Sequence, residues 1–65
     1  MDEDSVAYEL SRDPKFQRAI VGPYNYAMFF CRMHGLDGDN IVVVDSVLKR
    51  AIELWSEAVA NEWIK

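Results

Sequence analysis

A chain of 65 residues leaves room for one domain, and a domain of that size buries only about 60% of its unfolded surface, so it needs help to be stable. Cys31 is the single cysteine, which excludes an intrachain disulfide. No complete set of metal ligands appears, so oligomerisation is the remedy left, with 51% apolar residues to build an interface. Eleven acids against seven scattered bases, a net charge of −4, weigh against a general binder of nucleic-acid phosphates.

The longest apolar run, residues 27–31, falls far short of the roughly 20 residues a spanning helix needs. The opening MDEDS is acidic where a signal peptide would be basic. With a lone thiol, which suits a reducing compartment, these features lead to the expectation of a cytoplasmic protein with no membrane role.

Residues 1–4 are charged and are expected to fray. Asp4 or Ser5 can N-cap a short helix over about 5–12, in which Val6 and Leu10 share a face. Asp13-Pro14 reads as a cap followed by proline at the first helical position. A helix over about 14–21 follows, turning Phe16, Ala19 and Ile20 inward. Gly22-Pro23 then ends that helix and begins the central one, over about 23–34.

At about 100° per residue the central helix carries two apolar faces, Tyr24, Ala27, Met28 and Cys31 on one and Tyr26, Phe29, Phe30 and Met33 on the other. It should therefore be covered on two sides. Gly35 suits the left-handed position that closes a helix. The LDGDN stretch, 36–40, is turn chemistry. Asp37 and Asp39 alternate as calcium ligands would, but an EF-hand loop would close on a Glu where Leu48 stands.

Residues 41–44 are all β-branched, which favours a strand, yet no second strand is available to pair with one. Asp39 or Asn40 could instead cap a helix starting here, at the cost of turning Val42 and Val43 to its polar side. The pattern favours a helix from about Val44 to 64, with the valines before it as an extended lead-in. Val44, Leu48, Ala51, Ile52, Trp55, Val59 and Trp63 follow helical spacing, and Val47, Leu54 and Ala58 widen the stripe to roughly half the circumference. Lys49, Arg50, Glu53 and Glu57 lie opposite and read as a solvated face.

The expected fold is thus all-α: three main helices (14–21, 23–34, 44–64) and a short N-terminal one (5–12). Chemistry finds little footing in it. Cys31 and His34 sit three apart but about 60° from each other round the helix, with no orienting group and no further zinc ligands. They read as a buried thiol and a helix-end histidine. Carboxylate pairs such as Glu53 with Glu57 lie on solvated faces, and no phosphate loop or nucleophile motif occurs. No catalytic, cofactor-binding or metal-binding residue is expected.

A helix-turn-helix is the rival reading, because residues 14–34 have suitable lengths. Its recognition helix would begin Tyr24-Asn25-Tyr26 and continue apolar, whereas base reading is done near that helix's start. Aromatics and methionines point elsewhere, since such residues are enriched at interfaces. Phe29, Phe30, Met33, Trp55 and Trp63 are the candidate protein interface. The expectation is a non-enzymatic, acidic regulator or inhibitor that binds another protein and forms a homodimer. In size, acidity and helical content it is similar in type to small regulatory proteins of phages and mobile elements.

Overall fold

The computed structural model describes residues 2–19 and 22–61. Four helices follow in order, α1 (Glu3–Ser11), α2 (Pro14–Gln17), α3 (Pro23–Met33) and α4 (Ile41–Ala60). The described chain is all-α, within 33 × 24 × 17 Å. Among the described residues there is no strand.

Each helix start has a local cause. Asp2 caps α1, its Oδ1 accepting from Ser5 N at 2.7 Å, so Glu3 and Asp4 form the first turn at the positive end of the dipole. Helix α1 therefore begins earlier than expected, and residues 2–4, predicted to fray, belong to a capped start. Asp13 Oδ1 accepts from Lys15 N at 2.8 Å and Phe16 N at 3.3 Å, with Pro14 opening α2.

That second helix is a single turn rather than the predicted 14–21. At Ala19 the backbone tightens, its N–H donating to Phe16 O at 3.0 Å, which is how a last turn closes. The Gln17 side chain donates to Ser11 O at 3.0 Å and ties the turn to the end of α1. Ile20, expected to face inward, lies outside the described residues.

Helix α3 ends as its sequence predicts. Gly35 has φ +83°, Gly35 N donates to Arg32 O at 3.3 Å, and Leu36 N donates to Cys31 O at 2.8 Å. This pair of bonds is the Schellman closure, and Leu36 packs on the core just beyond it. The following turn folds back on α3 so closely that a Cβ on Gly38 would stand 2.6 Å from Met28 O and 2.3 Å from Arg32 Cγ. Only glycine fits there. Arg32 Nη2 bonds Asp39 Oδ1 across the same turn.

Helix α4 starts at Ile41, not near Val44. Asn40 Oδ1 accepts from Val42 N at 2.9 Å and Val43 N at 3.4 Å, and with no strand to pair with, the capped helix wins over β propensity. Asn61 closes α4, short of the predicted residue 64; residues 62–65 lie outside the described ones.

The core joins Val6, Ala7 and Leu10 of α1, Phe16 of α2, Ala27, Phe30 and Cys31 of α3, and Val44, Val47 and Ala51 of α4. The N-terminal helix is no accessory, since among the described helices its packing against α4 is the most extensive. Val6, Ala7 and Leu10 are fully buried. Three such residues within two turns, one of them an alanine that admits close approach, let nine residues cover much of a long helix.

Candidate interaction surface

Helix α3 is covered on one broad side rather than two. Ala27, Phe30 and Cys31 are buried, with Tyr24, Tyr26 and Met28 packed half-buried beside them. Phe29 and Met33, one turn apart, stand 57% and 65% exposed. The second apolar face predicted for α3 is therefore split. Tyr26 and Phe30 turn inward, while Phe29 and Met33 share the outer surface with Asn25 and Arg32.

Helix α4 carries two apolar stripes of alternating three-four spacing. One, Val44, Val47, Ala51, Leu54 and Ala58, faces the molecule and is buried except for half-buried Leu54. The other is Ile41, Asp45, Leu48, Ile52, Trp55 and Val59. Ile41, Ile52 and Val59 are exposed, and Asp45, Leu48 and Trp55 are half-buried. Five of these six positions are apolar, and the exposed edge of the stripe runs the length of a helix of 20 residues. Val42, 74% exposed, lies beside its first turn.

The candidate interface residues thus divide. Phe29 and Met33 are exposed, Trp55 is half-buried, and Phe30 belongs to the core, stacked on His34 with ring centroids 4.4 Å apart. Trp63 lies outside the described residues. Ile52 and Val59, expected within the wide arc of α4, and Ile41 and Val42, expected in its extended lead-in, complete the uncovered surface. Periodicity resolves the wide arc of α4 into two seams about 100° apart, but it does not say which of them stays uncovered.

Charges flank the uncovered seam. Lys49 Nζ lies 3.0 Å from Asp45 Oδ2 and Arg50 Nη1 lies 3.2 Å from Glu53 Oε2. All four side chains are substantially exposed, so each pair contributes little to stability.

The Cys31–His34 pair forms no shared site. Cys31 is fully buried in the core, and burial, with a smaller effect from Glu3, pushes its thiol pKa up, the opposite of a reactive cysteine. The His34 ring lies against Phe30 at the end of α3. Asp37, weighed as a calcium ligand, instead accepts from Asp39 N at 3.1 Å, an Asx-type turn. Among the described residues no group of three or more His, Cys, Asp or Glu is placed to hold a metal. No pocket opens among them, and no helix is long and apolar enough to cross a membrane.

Tyr26 opens the would-be recognition helix, but it reaches back to α2. Its hydroxyl donates to Asp13 Oδ2 at 2.9 Å, and its pKa is raised first by burial and then by that bond. Asp13 thereby caps α2 with one oxygen and anchors α3 with the other.

Comparison with protein-family models, curated proteins and solved structures found no match for this chain.

Proposed function

We propose that this protein acts by binding another protein, as a small acidic regulator or inhibitor with no chemistry of its own. The observation that carries the reading is the amount of large apolar surface left uncovered on two helices, Phe29 and Met33 on α3 and the Ile41–Val59 seam on α4. Isolated exposed apolar residues are ordinary on a small domain, but exposed Ile41, Ile52 and Val59 on one helix, with half-buried Leu48 and Trp55 between them, are the kind of grouping that marks an interaction site. Phe and Met, the two residue types on α3, are enriched in interface cores.

DNA reading has weaker support. The helix before α3 is one turn, and Tyr26 at the start of α3 is bonded to Asp13, while the net charge is −4. Affinity capture compares the wild type with the Phe29→Glu/Met33→Glu double variant, with circular dichroism checking that both are folded. A protein held by the wild type and lost from the variant is expected. Equal capture by both, or tight salt-sensitive binding to mixed-sequence DNA, would overturn the reading.

A further inference from the structure

We propose that the uncovered seam of α4 is the site of a second copy of this chain, packed antiparallel about a two-fold axis level with Arg50. The inference rests on the reading of uncovered helix faces as binding surfaces, and it assigns one of the two faces to self-association. That leaves Phe29 and Met33 for the target protein.

The argument starts from position. Antiparallel pairing sets Ile41 against the second copy's Val59, Leu48 against its Ile52, and Asp45 against its Trp55. Every apolar seam residue but Trp55 then meets an apolar one. The seam's only carboxylate meets its only indole N–H, a donor that needs a partner once it is buried. Parallel pairing would set Asp45 against Asp45 and Trp55 against Trp55, opposing two carboxylates in an apolar seam. It would also align the two helix dipoles, which antiparallel packing opposes.

Charge complementarity points the same way. On the exposed flank, basic Lys49 lies close to the axis and acidic Glu53 one turn beyond it. Antiparallel packing brings each Lys49 within reach of the other copy's Glu53, so two cross-pairs form on one side of the seam. The two Lys49 side chains approach each other at the axis, where each is offset by its own Asp45, 3.0 Å away, and by the opposite Glu53. The flank is self-complementary, as a two-fold contact requires. The opposite flank of the seam is Val44, Ala51 and Ala58, already covered within the chain, so the second copy can approach only from the Lys49 side.

A seam along one helix of about 30 Å is smaller than the ~800 Å² per partner of a standard interface, so the pairing should be reversible rather than obligate. The test uses the full chain. Sedimentation equilibrium at rising micromolar concentration should approach about 15 kDa, twice the 7.5 kDa of one chain. Ile52→Glu and, separately, Val59→Glu should each hold the mass at one chain with an unchanged helical spectrum.

Direction is read by cross-linking. In a Cys31→Ala background, Ile41→Cys and Val59→Cys should be joined by a short thiol linker when mixed, while neither should cross-link with itself. A monomer at every concentration, a dimer indifferent to both glutamates, or self-linked Ile41→Cys would overturn the proposal. Capture by the Phe29→Glu/Met33→Glu variant separates the two readings. A monomeric wild type that still loses its target through that variant would defeat the self-pairing alone. A dimer with no target sensitive to Phe29 and Met33 would defeat the regulator reading alone.

Discussion

The two stripes of α4 differ in side-chain size as much as in exposure. The covered stripe is Val44, Val47, Ala51, Leu54 and Ala58, with small or β-branched groups at every position but one. The outer stripe carries exposed Ile41, Ile52 and Val59 and half-buried Leu48 and Trp55, with Asp45 among them. Small residues let α1 and α3 approach α4 closely, at the 8–10 Å typical of packed helices. Larger residues on the other stripe keep a partner farther off and offer more area to cover. Within one helix, then, the largest apolar side chains are not the ones that build the core. Apolar volume is a poor guide to burial where two helices must meet closely, and backbone clearance is the better one.

The largest effect should come from the covered side. Leu10 is fully buried on α1 and packs in the cluster with Val44 and Val47, so Leu10→Ala should cost about 2–5 kcal/mol. A domain of this size has a total stability of only about 3–10 kcal/mol, so urea titration should show the variant partly unfolded in buffer. A cost below ~1 kcal/mol would mean that α1 is not the main cover of α4.

The contrast between the stripes can be sharpened by adjacent substitutions. Ala51→Leu overfills the contact and should destabilise by about 1–3 kcal/mol. Ile52→Ala, one residue along on the exposed stripe, should change the stability of the single chain by no more than ~0.5 kcal/mol. Thermal melts at low protein concentration would check both, and equal costs would dissolve the distinction between the stripes.

Two polar devices hold the helices that frame these stripes. Asn40→Ala removes the cap that starts α4 at Ile41 and should cost about 1 kcal/mol, accompanied by faster amide exchange at Val42 and Val43. Tyr26→Phe breaks the bond to Asp13 and should also cost about 1 kcal/mol, with no change in helical content. A loss of helix on Tyr26→Phe would show that Asp13 needs both of its bonds to hold α2.

The smallest effect is a dependence on alkaline pH. The Cys31 and Tyr26 pKa values are raised in the folded chain, above ordinary values of 9.0 and 10.0. A raised folded pKa means that the unfolded state loses its proton first. Stability from each group is therefore complete below its ordinary pKa and declines as pH rises through the folded one. Denaturation midpoints should be level from pH 7 to 8.5 and fall above about pH 9. Cys31→Ala should remove the earlier part of that decline and leave the part due to Tyr26.

Local chemistry was readable at several turns and caps, though α1 is capped by Asp2 and not by Asp4 or Ser5. Asp13-Pro14, Gly35 and the 36–40 turn act as their side chains and φ preferences dictate, Gly22-Pro23 opens α3 though it does not end α2, and the helical periodicity of residues 44–59 needed no tertiary information. The all-α class followed from those signals alone. The start of α4 did not, because a run of β-branched residues carries opposite local preferences, and Asn40 prevails only once Val44 and Val47 are drawn into the core. The length of α2 escaped for a similar reason, since apolar residues at helical spacing promise a longer helix than a tightening backbone at Ala19 permits.

Residue type and spacing by themselves determined that this chain is helical and has more apolar surface than it readily hides. Only the tertiary structure decided which surface stays out. Ile52 and Val59 satisfy the same periodicity as Val44 and Ala51, and no local rule separates them. The choice was made by α1 and α3, which pack against one side of α4, with Val6, Ala7 and Leu10 of α1 fully buried there. Helices packed on one side leave part of an arc of half a helix uncovered, so the remaining seam faces outward.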